Sequence, residues 1–200
     1  MNAKLFLEYL PFLIEPRSKL EGLGLDFDDY LANCVMPRIS PITREKPIDF
    51  TNIPKSLRDL FEEFNIEKID LLHTFFWSEP KQLEQGWGFA DMSEVNIVMA
   101  PSGRIEAYIA HPVRDMPGAM DCLGVLAKDL ESYLEALFYA QFNKVHLISG
   151  FPDEDPILYK KTVLVAKHCA LIAGGEEYYP VWASIIGLSP TDGGAVKNGI

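Results

Sequence analysis

Near the middle of the chain, apolar and polar residues alternate in two consecutive stretches. Val95, Ile97 and Met99 alternate with Glu94, Asn96 and Val98; beyond Pro101-Ser102-Gly103, Ile105, Ala107 and Ile109 alternate with Glu106 and Tyr108. A period of two is that of half-buried strands, and Pro followed by Gly supplies a tight turn, so a hairpin is predicted. Its partner is a helix from about Leu123 to Phe142, in which Leu126, Leu130, Tyr133, Leu134, Leu137 and Phe138 recur at spacings of three and four. Two strands are not stable alone, so this helix is expected to lie on them.

Upstream, Leu57, Leu60, Phe61 and Phe64 line one face of a helix from Pro54 to Phe64, opposite Lys55, Arg58, Asp59, Glu62 and Glu63. Leu71 to Trp77 is dense in β-formers and predicts the first strand of the sheet, with Ser78 to Gly86 as a polar connection into the hairpin. Leu5 to Leu13 forms a short apolar segment, helical or irregular, bent or ended by Pro11. Gly22-Leu23-Gly24 reads as a turn and Asp26 to Leu31 as a helix start. Pro37, Pro41, Pro47 and Pro54 mark a loop, as do His111 to Gly118. Asp121 or a neighbour is expected to cap the closing helix. Beyond it, Asn143 to Ser149 reads as a short strand, and Asp155-Pro156 and Gly174-Gly175 bound a helix of about eighteen residues with Tyr159, Val163, Ala166 and Ala170 as its core stripe. From Gly193 the pattern is that of a frayed end.

A chain of 200 residues with 48% hydrophobic content can bury a sizeable core as a single domain. Leu5 to Ile14 is interrupted by Glu8 and Pro11 and lacks a cleavage pattern, so a signal peptide is not expected. No window approaches the roughly 20 apolar residues of a membrane helix. Cys34, Cys122 and Cys169 are few and widely spaced, which fits buried thiols in a reducing cytoplasm. The net charge of −11 is uneven: residues 1–50 hold 8 acidic and 6 basic side chains, 51–142 hold 15 and 7, and 143–200 hold 6 and 5. Nucleic-acid binding requires clustered Lys and Arg, so it is not expected. An acidic surface steers basic partners, although it also serves plain solubility.

The motifs of nucleotide, serine-hydrolase, zinc-protease and paired-cysteine sites are missing from the sequence. His73 has no second ligand at metal spacing, and His168 and Cys169 are adjacent on a helix and project apart. No cofactor, metal or catalytic residue is therefore named. What remains is surface. If the odd-numbered residues of the hairpin face the helices, Glu94, Asn96, Glu106 and Tyr108 share the other side of the sheet. With Trp77 and Trp87 flanking the unit, and Asp91 and Asp115 in its connections, they form a candidate partner-binding patch of aromatic anchors and acidic rim. The rival reading places both tryptophans in the core and covers the second face with the carboxy-terminal extension.

From about Ile53 to Phe142 the order of elements is an amphipathic helix, a Trp-containing connection, a polar-apolar strand, a Pro-Ser-Gly turn, a second strand and a closing helix reading Leu-Glu-Ser-Tyr-Leu-Glu-Ala-Leu-Phe. This order resembles the SUKH superfamily, whose namesakes are the fungal Smi1/Knr4 proteins and which includes many bacterial toxin-immunity proteins. The resemblance implies an α+β fold, an antiparallel sheet packed against helices, with residues 1–50 and 143–200 as extensions of a 51–142 core. It further implies a non-enzymatic cytoplasmic protein that binds and masks another protein, such as a basic nuclease toxin. The alternatives are a Smi1/Knr4-like regulatory or scaffold protein, and a ligand binder or enzyme using Trp87, Asp91, His111 and Asp115.

Overall fold

In a computed structural model of the chain, six consecutive strands form one antiparallel meander, each hydrogen-bonded to the next. Residues 1–13, 42–45, 50–67, 69–92, 94–110, 120–147 and 156–188 are described. Chain order begins with α1 (Ala3–Tyr9) and a 3-10 turn (Leu10–Leu13), then β1 (Ile42–Thr43), α2 (Lys55–Phe61) and β2 (Phe64–Asn65). The meander follows: β3 (Asp70–Leu71), β4 (Thr74–Leu83), β5 (Gly86–Met92), β6 (Val95–Met99), β7 (Ile105–Ala110) and β8 (Met120–Ala127). It is succeeded by α3 (Leu130–Leu147), α4 (Pro156–Ala173), a 3-10 turn (Glu176–Tyr178) and α5 (Tyr179–Ile186). The fold is therefore α+β, an antiparallel sheet packed against helices.

The β6–β7 hairpin pairs as its alternation predicts, from Val95 with Ile109 to Met99 with Ile105. α1 and its 3-10 turn fill the amino-terminal apolar run, with the Asn2 side chain accepting from the Leu5 amide at 2.9 Å as helix cap. The eighteen-residue helix between Pro156 and Ala173 also stands where its flanking signals put it, with Val163, Ala166 and Ala170 buried.

Five expectations about the elements are corrected, and Cys122, expected as a buried thiol, is exposed. The polar stretch from Ser78 is not a connection, because β4 runs unbroken from Thr74 to Leu83. β3 pairs only with the first residues of β4, so the rest of β4 is an edge, where Pro80 and Lys81 are tolerated and discourage further strand pairing. The closing helix does not begin at Leu123, since Met120–Ala127 is the strand β8. Its ladder with β7 is interrupted by two irregularities, which leave Leu123 and Leu126 between paired positions. These extra residues break the period of two and imitate a helical spacing. Asp121 consequently lies in β8, and the cap of α3 is Asp129, whose side chain accepts from the Ser132 amide at 2.7 Å. Finally, Asn143 to Leu147 is the end of α3 rather than a strand, a short apolar run whose periodicity is ambiguous. The helix predicted to reach Phe64 ends at Phe61, and Phe64 pairs in β2. The expectations for residues 22–31, the loop at 111–118, Cys34 and the chain end from 193 lie outside the described residues.

One core joins these elements. Phe6 of α1, Leu57 and Leu60 of α2, Phe76 and Phe89 of the sheet, Tyr133 and Leu137 of α3, Cys169 of α4 and Trp182 of α5 belong to a single buried cluster. An aromatic chain crosses it: ring centroids lie 6.0 Å apart for Phe6 and Phe76, 6.4 Å for Phe76 and Phe89, 6.1 Å for Phe89 and Tyr133, and 6.2 Å for Tyr133 and Trp182. The edge of β4 is tied down by Arg44, whose guanidinium donates to the carbonyls of Phe61 at 3.0 Å, Phe64 at 3.3 Å and Ser78 at 2.6 Å. Burial there holds its pKa below the ordinary arginine value, against the opposing pull of Glu79 and Glu67.

Candidate functional site on the outer face of the sheet

Register assigns the faces. Residues paired across neighbouring strands share a side, so Phe76, Ala90, Ile97 and Ala107 line the side toward the helices. The row Phe75, Asp91, Asn96, Tyr108 and Cys122 lies on the other side, as does the row Lys81, Gly88, Val98, Glu106 and Val125.

Four of the residues singled out from sequence meet on this outer side. The Trp77 indole N–H donates to Asp91 Oδ2 at 2.9 Å. A Cβ placed on Gly88 would come within 2.6 Å of the Trp77 ring, so the indole sits close against the glycine, and Lys81 Nζ stands 5.6 Å from its centroid. Two strands away, the Tyr108 hydroxyl donates to Glu106 Oε2 at 2.6 Å, and Arg104 Nη2 approaches Glu106 Oε1 at 3.5 Å. The hydrogen bond to Glu106, with partial burial, pushes the Tyr108 phenol well above its ordinary pKa. Asn96 sits between the two pairs in the same row and reaches Met120 Sδ at 3.7 Å. Each of the half-buried carboxylates is thus engaged by a neighbour on the same face, which fixes its direction. The patch carries acidic charge in a preset geometry.

Glu94 stands apart at the exposed turn between β5 and β6, with φ of 74° in the left-handed region. Trp87 does not join the patch. It pairs with Met99 in register and packs partly buried against the core, on the side of the helices. The cause is a one-residue bulge in β5: Gly88 pairs with Val98 and Ala90 with Ile97, leaving Phe89 extra. A bulge reverses the alternation beyond it, so Trp87 and Asp91, four residues apart, take opposite faces. A site joining Trp87 to Asp91 is therefore not formed. His111 and Asp115 lie outside the described residues.

Sequence reasoning missed Lys81, which lay in the stretch read as a connection, and Phe75 and Gly88, whose side of the sheet only the pairing register assigns. A glycine between Trp87 and Phe89 was the available signal, since glycine inside a strand marks a bulge or a close approach. Elsewhere, His168 stacks on Tyr139 with centroids 4.6 Å apart, while buried Cys169 bonds to the Ala136 carbonyl at 3.7 Å and its thiol is pushed up to about 12 by desolvation. Glu62, Glu63, Glu176 and Glu177 are exposed. Among the described residues no group of three or more His, Cys, Asp and Glu side chains is arranged to hold a metal ion, and no helix is long and apolar enough to cross a membrane.

No protein-family model, curated protein or solved structure matches the chain.

Proposed function

We propose that the chain is a non-enzymatic protein-binding module of SUKH type, acting in the cytoplasm as an immunity protein that binds and masks a basic, nuclease-type toxin. The observation that carries this reading is the outer sheet face. There, two aromatic side chains, Trp77 and Tyr108, are each hydrogen-bonded to a carboxylate within one antiparallel surface. Aromatic groups held in one orientation lose little freedom on binding and supply contact area, while carboxylates of fixed direction accept from Lys and Arg and speed the encounter with a basic partner. The net charge of −11 acts in the same sense at longer range. A Smi1/Knr4-like regulatory role would use the same surface on an endogenous partner.

The test is a pull-down from the source organism with the intact protein and an Asp91→Lys/Glu94→Lys/Glu106→Lys variant, both checked for folding by circular dichroism. The expected result is a stoichiometric basic protein retained by the first and lost by the second, whose nuclease activity the intact protein suppresses. Retention of the same partner by both proteins removes this face from the interface, and a captured partner without toxic activity favours the regulatory role.

A further inference from the structure

On the opposite side of the sheet, packing between the strands and α5 is incomplete. A cleft of about 630 Å³ opens there. Ile97 of β6 and Ala107 of β7, with Leu126 of β8, form its floor, and Val181, Ser184 and Ile185 of α5 form its outer wall. Protein interiors tolerate few voids larger than a water molecule, whereas clefts of roughly 300–1,000 Å³ with apolar walls and few polar groups are the usual form of small-molecule sites.

Two features keep the cleft open. Trp182 is fully buried, and its indole N–H donates to the Leu126 carbonyl at 3.0 Å, so this residue ties α5 to β8 while Val181, Ser184 and Ile185 border the space. Small residues also stand where larger ones would fill it: Ala107 on the floor, Ser184 on the wall and Gly124 between them, where a Cβ would meet nothing within 4 Å.

The rim has its own character. Leu72 and His73, which border the cleft, make the two-residue turn between β3 and β4 with φ of 52° and 63°. Asn-Gly is the usual occupant of such a turn, because other side chains are strained there. Here the strain is held in place by Gln141, a buried side chain of α3 whose Oε1 accepts from the Leu72 amide at 3.0 Å. Strained backbone of this kind gathers at ligand clamps. The turn presents exposed His73 at one part of the rim, and exposed Glu177 stands at another. Among the described residues Glu177 is the one carboxylate bordering the cleft, and none of those lining it is Lys or Arg.

We infer that this cleft binds a small, largely apolar molecule with an uncharged or cationic polar end, its body between Ala107 and Ser184 and its polar end beside Glu177. An anionic head would meet Glu177 with no compensating cation among the described residues of the lining. This site is independent of the protein-binding face, from which the sheet itself separates it.

The experiment is a titration of the full-length protein with N-phenyl-1-naphthylamine, an uncharged dye that brightens in apolar surroundings. Dodecyltrimethylammonium and dodecanoate then compete with it, both below their micellar concentrations. Saturable binding at one dye per chain is expected, with the cation displacing it at roughly tenfold lower concentration than the carboxylate and Glu177→Lys narrowing or reversing that order. Ala107→Phe fills the cleft from the floor and Ser184→Trp from the exposed side; each should weaken dye binding by roughly tenfold or more, whereas Leu164→Lys on the exposed side of α4 should leave it unchanged. Ser184 is exposed, so its replacement tests the cleft even where Ala107→Phe fails to fold. Absence of saturable binding, unchanged binding in folded Ser184→Trp, or preference for the carboxylate overturns the inference.

Discussion

On the helix-covered side of the sheet, Phe76, Phe89, Ile97 and Ile105 are enclosed by α1, α2, α3 and α5, and the main gain there comes from removing apolar surface from water. On the outer side Trp77, Asp91, Glu106 and Tyr108 remain half-exposed and are held by hydrogen bonds among themselves. A fully buried large side chain contributes about 1.5–3 kcal/mol, and a single hydrogen bond in a wet setting about 0.5–1.5 kcal/mol. Stability therefore resides on one face, and the other is at liberty to specify a partner. The five long strands serve both ends because their side chains alternate.

The comparison breaks most severely on the covered side. Phe89→Ala removes the ring that joins Phe76 to Tyr133, and Trp182→Ala removes both the last ring of that chain and the anchor of α5. Each should lower stability by about 3–5 kcal/mol in urea unfolding. Gly88→Val works from the outer side, forcing the Trp77 ring off the sheet; a loss of about 1–3 kcal/mol with a shift in tryptophan emission is expected.

A pH series separates the faces differently. Cys169 is buried, and desolvation raises its thiol from 9.0 to about 12. Tyr133 is raised likewise by burial, although Thr74 nearby offsets part of the effect. A raised folded-state pKa means that the folded chain holds its proton longer than the unfolded chain. The stability these groups contribute is thus intact below their unfolded values and is lost as pH climbs through the folded ones. Unfolding free energy should be level with respect to Cys169 below pH 9 and fall toward pH 12, and Cys169→Ala should flatten part of that decline. In the native protein a thiol reagent should label exposed Cys122 and spare Cys169.

Smaller effects lie on the outer face. Asp91→Ala frees the Trp77 indole and should cost about 1 kcal/mol or less, with faster quenching of that tryptophan by iodide. Glu94→Gly should raise stability by up to about 1 kcal/mol, because glycine accepts the left-handed backbone that glutamate is forced to adopt there. A gain in stability joined to weaker partner binding would sharpen the division between the two faces.

The β6–β7 hairpin, α1 and α4 were legible because each carries an uninterrupted period or strong flanking signals. β8 was not, since its irregular positions at Leu123 and Leu126 fall into the spacing of a helix that then begins at Leu130. β4 was hidden for a related reason: Pro80 and its polar neighbours read as a break, and an edge strand accepts them. For the candidate patch, alternation put Glu106 and Tyr108 on the outer side, whereas Asp91 was read as part of a connection and lies in β5, and Trp77 was named by its position. Trp87 was drawn in wrongly, because one extra residue at Phe89 reverses its side of the sheet.

Alternation, caps and helix signals by themselves determined that this chain builds an antiparallel hairpin, that Val95, Ile97, Ile105 and Ala107 face inward, and that its acidic charge gathers on the same segment. These are local properties, set within a few residues of backbone. Only the tertiary structure decided which face each aromatic residue takes, how Trp77 and Asp91 meet across two strands, and that a gap remains under α5. Such features depend on the count of residues between distant pairings and on the volumes that packing leaves unfilled, and neither is written in any single stretch of sequence.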